Sequence, residues 1–134
     1  MNAVDTNILI YAHDPRYPEK KLIAGALLES LDDAVLLWQV ACEYLAASRK
    51  LAPLGYDFRR AGEDLDRLRT VWSLALPSWT VLDKARALIS KHSLSFWDSL
   101  IISASIQAGV SRLYSEDLAG HKIPGIEMIN PFAV

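Results

Sequence analysis

The sequence predicts an α/β domain in which a mostly parallel sheet carries helices on both faces. Three observations predict it. Short apolar runs alternate along the chain with longer segments whose apolar positions recur every three or four residues. Hydrophobic residues make up 51% of the 134 residues and charged residues 22%, the balance of a packed domain and not of a disordered or collagen-like chain. No internal repeat, linker or low-complexity stretch interrupts the pattern, so residues 1–134 read as one domain.

The elements follow in order. Asn2-Ala3-Val4 is a short buried strand, Asp5-Thr6-Asn7 a polar turn at its carboxyl end, and Ile8-Leu9-Ile10-Tyr11 the start of a helix. Residues 19–31 place Leu22, Ile23, Ala26, Leu27 and Leu31 on a helical face. Ala34-Val35-Leu36-Leu37-Trp38 is a second apolar run that passes directly into a helix over 39–50. Pro53 and Gly55 mark a loop. Phe58, Ala61, Leu65, Leu68 and Trp72 then form the clearest amphipathic stripe in the chain, with Trp72 and Trp38 expected in the core.

Leu74-Ala75-Leu76 is a third strand, ended by Pro77. A helix over 81–92 follows, with Thr80 and Asp83 spaced as a capping box. The segment 97–108 is apolar almost all round, which predicts a central helix. Arg112-Leu113-Tyr114-Ser115 and Ile126-Glu127-Met128-Ile129 supply the last two strands, the second closed by Asn130-Pro131.

Composition bounds the function. Fourteen Lys and Arg against sixteen Asp and Glu give a formal charge of −2, so nucleic acid, if bound, must be met by local basic clusters and not by the whole surface. The single cysteine, Cys42, excludes an intrachain disulfide and a multi-thiolate zinc cluster, and reads as a small buried hydrophobe. No apolar stretch approaches the ~18 residues of a membrane span and no basic leader opens the chain, which predicts a soluble, cytoplasmic protein. His13, His92 and His121 share no metal-ligand spacing.

Four acids stand out. Ligands of such sheets bind beyond the carboxyl ends of the strands, and Asp5 and Asp117 emerge on that rim. Taken singly, Asp5 also reads as a helix N-cap and Asp117 as an Asx-type turn before Gly120. Glu43 lies one helical turn from Gln39, Val40, Ala46 and Ala47, with no cation on its face; it either reaches solvent or serves a site. The surface pairs Arg59–Glu63, Arg60–Asp64 and Glu63–Arg67 show the contrasting, ordinary use of charge. Asp98 has Leu94, Ser95, Ile101 and Ile102 as turn neighbours, and Ser95-Phe96-Trp97-Asp98 also fits a capping box. If the four converge, carboxylates ~4 Å apart repel by about 4 kcal/mol at a surface-like dielectric, so protons or a divalent cation must offset the repulsion. Oxygen ligands suit Mg²⁺ or Mn²⁺, and the chemistry that follows is hydrolysis of a phosphate ester.

Val4-Asp5-Thr6-Asn7, Gln39-Val40-Ala41-Cys42-Glu43, Ser95-Phe96-Trp97-Asp98-Ser99-Leu100-Ile101, Leu113-Tyr114-Ser115-Glu116-Asp117-Leu118 and Ile129-Asn130-Pro131-Phe132 occur in that order. Together they resemble the PIN-domain ribonucleases, most closely the VapC-type toxins of bacterial toxin–antitoxin pairs. The resemblance spans nearly the whole chain. It implies a three-layer α/β/α sandwich with about five parallel strands and an acidic pole of Asp5, Glu43, Asp98 and Asp117 binding Mg²⁺ or Mn²⁺. Asn7 and Ser115 match the family's supporting polar residues, and Glu116 is either an additional ligand or, as we expect, faces outward into solvent. The resemblance further implies metal-dependent cleavage of RNA, inhibition by a small antitoxin, and a homodimer. Ala119-Gly120-His121-Lys122 departs from the family's usual turn at a place expected to affect substrate fit.

Arg49 and Lys50, near the end of the helix bearing Glu43, are candidate RNA contacts, as are the pairs Lys20-Lys21 and Arg59-Arg60; all also read as solvated helix-end charges. Trp97 beside Asp98 either stacks a base or packs. Three other functions were weighed. A haloacid-dehalogenase-type phosphatase needs Asp-x-Asp, and Asn7 occupies the second position. A receiver domain needs an acceptor Asp after a middle strand, which Leu74-Ala75-Leu76-Pro77 lacks. A non-catalytic PIN-like module that binds RNA or protein is the remaining alternative.

Overall fold

The computed structural model describes residues 1–133. Five strands run in parallel: β1 (Asn2–Val4), β2 (Val35–Leu37), β3 (Ser73–Ala75), β4 (Arg112–Tyr114) and β5 (Glu127–Ile129). β1 pairs with β4 in the register Ala3–Leu113, β4 with β5 as Leu113–Met128, and β2 with β3 as Leu36–Leu74. A parallel bridge between Asn2 and Ala34, with Asn2 N–H donating to the Asp33 carbonyl at 2.8 Å, joins the two sets. The resulting order is β3-β2-β1-β4-β5, and the parallel five-stranded sheet is the α/β architecture expected from the sequence. The order reverses at β1, whose chain continues toward β2 on one side while β4 lies on the other. That reversal opens a crevice at the carboxyl ends of β1 and β4.

Six α-helices surround the sheet: α1 (Thr6–Tyr11), α2 (Pro18–Ser30), α3 (Trp38–Ser48), α4 (Phe58–Val71), α5 (Trp79–Lys91) and α6 (Phe96–Gln107). α1, α3 and α4 pack in succession, and α5 packs along α6. Ala3, Val4, Ile8, Leu37, Val40, Ile102 and Leu113 are among the residues at the centre of the core. Strands of three residues suffice because β1 and β2 are almost wholly covered, which turns their apolar runs into buried area worth about 25 cal/mol per Å².

Several boundaries differ from the sequence reading, each for a local reason. α1 begins at Thr6, so the polar turn is its cap and first residues. α3 ends at Ser48 and tightens into a 3-10 helix, Arg49–Leu54, whose closing residue Gly55 takes φ 94°, a left-handed conformation open to glycine. α5 is capped by Ser78, whose Oγ accepts from Val81 N–H at 3.1 Å; Thr80 is already helical, so the Thr80–Asp83 box does not form the cap. Trp38 is 53% exposed, against expectation, because the pleat ends at Leu37 and Trp38 opens the helix at the sheet's edge. Trp72 is buried as expected, but Phe58, in the first turn of α4, is exposed. In α2 only Ala24 is fully buried, and Leu22 and Ile23 face out. Cys42 is exposed, not a core residue.

Candidate active site

The crevice at the carboxyl ends of β1 and β4 is a cleft of about 520 Å³, and Asp5, Glu43, Asp98 and Asp117 all line it. Four elements deliver them: the β1–α1 junction, the middle of α3, the first turn of α6, and the turn after β4. None of the four carboxylates lies within ion-pair distance of a basic group among the described residues.

Asp5 is both the cap and the acid of the rim. Its Oδ1 accepts from Thr6 N–H at 2.7 Å, and its Oδ2 accepts from the Ser115 hydroxyl at 2.8 Å. Burial raises its carboxyl pKa; the Ser115 and Thr6 hydrogen bonds oppose the rise, and the nearby Glu43 and Asp98 charges add to it. Ser115 itself is fully buried and also accepts from Asp117 N–H and Leu118 N–H, each at 3.2 Å. The turn after β4 is thus tied by a serine hydroxyl and not by the expected Asx turn of Asp117. Asp117 instead accepts from Asn7 Nδ2 at 3.3 Å, while Asn7 Oδ1 accepts from Glu116 N–H at 3.3 Å. Asn7 and Ser115 thus each donate a hydrogen bond to one of the four acids.

Glu43 is held by two neighbours that the sequence reading did not single out for a role. Thr6 Oγ1 donates to Oε1 at 3.0 Å, and Gln39 Nε2, one turn earlier on α3, reaches Oε2 at 3.4 Å. The same Gln39 group lies 3.3 Å from the Trp97 carbonyl, linking α3 to the start of α6. At that start Ser95 Oγ accepts from Asp98 N–H at 3.1 Å, so the expected cap forms. It uses the backbone of Asp98 and leaves its carboxylate free: no side chain donates to it among the described residues.

Glu116 does not face solvent as expected. Its carboxylate pairs with Lys20 and accepts from the Tyr11 hydroxyl at 2.8 Å; burial would push its pKa up, but these partners hold it below the ordinary range. Lys20 is thereby committed to Glu116 and to the rings of Tyr11, Tyr17 and Phe132. Arg49 and Lys50 are exposed on the 3-10 helix but do not line the cleft. The basic side chain that does is Arg16, with Asp14, Tyr11 and Tyr17 beside it. An Asp and an Arg two residues apart in a proline-flanked loop carry no periodic signal, which is why the sequence reading passed over them.

The donor set is oxygen-only and unpaired by cations, which fits a hard divalent ion. Among the described residues no group of three or more His, Cys, Asp or Glu side chains is drawn together closely enough to hold a metal ion by itself. Mg²⁺ and Mn²⁺ do not require such a group, since they keep several waters and take one or two carboxylates plus substrate oxygens.

A parallel α/β fold with an acidic cleft at its strand-order reversal places these carboxylates where such sheets bind their ligands. The family model of the PIN domain matches residues 3–125. The chain belongs to the PIN-domain family. Among solved structures it is similar to a toxin-antitoxin complex from Klebsiella pneumoniae, with a TM-score of 0.73 and 18% identity over 100% of both chains. It is also similar to VapBC2 from Rickettsia felis bound to a promoter DNA fragment (TM-score 0.68, 16% identity, 96% of this chain and 97% of the other). A third neighbour is VapC20 of Mycobacterium tuberculosis, a sarcin-ricin loop cleaving toxin (TM-score 0.67, 16% identity, 90% and 94%). A search of curated protein sequences finds no match.

Proposed function

We propose that this protein is a metal-dependent endoribonuclease and the toxin of a toxin–antitoxin pair. The observation that carries the reading is the meeting of Asp5, Glu43, Asp98 and Asp117 in one cleft with no basic partner, in a chain of the PIN family. The solved neighbours include a toxin–antitoxin complex and a sarcin-ricin loop cleaving toxin, and these support an antitoxin partner and an RNA substrate here. No helix among the described residues is long and apolar enough to cross a membrane; a cytoplasmic location is part of the proposal.

Asp5, Glu43, Asp98 and Asp117 would hold Mg²⁺ or Mn²⁺. The bound ion supplies Lewis acidity, making water a better nucleophile and offsetting charge on the phosphate. The chain's own groups do the positioning. Thr6 N–H and Ser115 fix both oxygens of Asp5, Thr6 and Gln39 aim Glu43, and Asn7 ties Asp117 to α1. A homodimer is also part of the reading; the exposed Trp38, Leu74 and Leu76 share a groove with Leu36, Ala41 and Leu45 and offer apolar surface for it.

The test incubates purified protein with total cellular RNA and Mn²⁺ and sequences every new 5′ end, beside Asp98→Asn and a chelator control. Ends that require wild type and metal establish the nuclease and name its target. No new ends from folded protein would move the assignment to a non-catalytic binding module.

A further inference from the structure

The acidic cleft presents RNA with an electrostatic problem, because each phosphate entering it meets carboxylates. Of the candidate basic contacts the sequence offers, Lys20 is spent on Glu116, and Lys21, Arg49, Lys50, Arg59 and Arg60 do not line the cleft. Arg16 remains, and it is held in a particular way. Its Nε donates to Asp14 Oδ1 and its Nη2 to Oδ2, both at 2.9 Å, while its backbone N–H donates to Oδ1 at 3.0 Å. Solvent reaches only 2% of Asp14, whereas the Arg16 side chain is 55% exposed. The loop is braced by Pro15 before Arg16 and by Pro18 in the first turn of α2.

A fork–fork pair fixes the guanidinium's plane as well as its place. Of its five N–H donors, two are used on Asp14, so the remaining three point elsewhere. An ion pair half in solvent adds little stability. What this one secures is direction: an oriented, partly unused donor edge on a residue that lines the same cleft as the four acids. We propose that Arg16, positioned by Asp14, grips a phosphate of the RNA strand next to the scissile bond. The assignment rests on the ribonuclease reading above and gives that site its substrate-positioning residue. A carboxylate of a partner protein would also suit Arg16 by charge. RNA is favoured because Arg16 shares the cleft with the acids a phosphodiester must reach, and because Tyr17, 46% exposed beside it, offers a ring to an unpaired base.

The experiment compares wild type with Arg16→Ala, Arg16→Lys and Asp14→Asn, using cleavage of a short 5′-labelled single-stranded RNA of random sequence in Mn²⁺. Binding of the same RNA is measured across a salt series on an Asp98→Asn background. Arg16→Ala is expected to weaken binding by about tenfold or more, with the loss in KM and not in kcat. Its log–log salt slope should shrink in magnitude by about 0.7, one phosphate contact on a single strand. Arg16→Lys should keep the slope and recover part of the affinity, since it retains charge but not the fork. Asp14→Asn should raise KM with the slope kept, the mark of a positioning residue. If Arg16→Ala fails to fold because Asp14 is left unpaired, the double variant Asp14→Asn/Arg16→Ala removes the orphaned charge and must show the same lost slope. A wild type that cuts this RNA while Arg16→Ala keeps its KM and slope overturns the clamp, leaves the nuclease reading standing and assigns Arg16 to a protein contact. A wild type that neither cuts nor binds RNA overturns both.

Discussion

Ser115→Ala should cost far more than the loss of one hydroxyl suggests. Its Oγ donates to Asp5 Oδ2 at 2.8 Å and accepts from Asp117 N–H and Leu118 N–H at 3.2 Å, so one oxygen serves three partners. A hydrogen bond to a carboxylate is worth roughly 1.5–3 kcal/mol, and an orphaned buried donor costs about 1–3 kcal/mol. Asp117 is exposed and its N–H can turn to water, but Leu118 is 1% exposed and cannot. Allowing for water reaching Asp5 from the cleft, the expected loss is about 3 kcal/mol, or roughly 10 °C in Tm for a chain of this size. Urea unfolding in metal-free buffer reads it directly. Ser103→Ala is the internal control: Ser103 is equally buried but makes one bond, to the Val81 carbonyl at 2.7 Å, and should cost about 1 kcal/mol. If the two serines cost the same, the description of Ser115 as the hub of the cleft is wrong.

Other outcomes follow from the same contacts. His13 is half-buried, and burial first, then the nearby charges of Lys21, Arg60 and Arg67, brings its pKa down from 6.5 to about 4, its Asp64 neighbour being engaged by Arg67. Folding therefore favours the neutral ring: the stabilisation is complete above about pH 6.5 and is lost as pH falls from there toward 4, by ~2 kcal/mol after discounting for its partial exposure. His13→Phe should flatten that stretch of the stability–pH curve. Tyr56→Phe removes a hydroxyl that bonds Asp64 at 2.6 Å and also pairs with Tyr44, and should destabilise by about 2 kcal/mol in denaturant titrations. Millimolar Mn²⁺ should raise the Tm of wild type more than that of Asp98→Asn, since an ion that binds only the folded state stabilises it. Equal shifts in the two would place the ion away from Asp98.

Much of this was legible in the sequence, and what was not has physical reasons. α4 announced itself because Ala61, Leu65 and Leu68 keep helical period while Arg59–Glu63 pairs on the outer face. Asp5 and Asp117 stood out by their place after strands, and Glu43 and Asp98 by what they lacked, a cation within one turn, because an unpartnered carboxylate on an apolar face is costly wherever it is buried. Trp38 misled because a hydrophobic run does not mark the residue at which strand becomes helix, and burial along it ends at Leu37. Glu116 misled because its partner, Lys20, is 96 positions away and contact at that separation is set by the sheet order alone. Arg16 belongs to the same class of miss: its importance comes from the cleft it borders, which no local window contains.

The cleft's acids are held to very different degrees. Both oxygens of Asp5 are fixed by donors from β1's own continuation and from the end of β4, and both oxygens of Glu43 have a donor, Thr6 or Gln39. Asp117 has one long bond from Asn7, and Asp98 has no side-chain donor among the described residues. Thr6 is the pivot of the firm half, since its N–H serves Asp5 and its hydroxyl serves Glu43. Rigid elements thus present two carboxylates in set positions, and two more retain rotamer freedom at the mouth. Such a division suits an ion that arrives with waters and leaves room for a phosphate, because a fully clamped set would have to be unmade for substrate oxygens to enter. It also explains why the acids are tolerated without cations. Repulsion is relieved at the mouth, where Asp98 and Asp117 reach solvent, while Asp5, only 7% exposed, takes the shortest hydrogen bonds of the set.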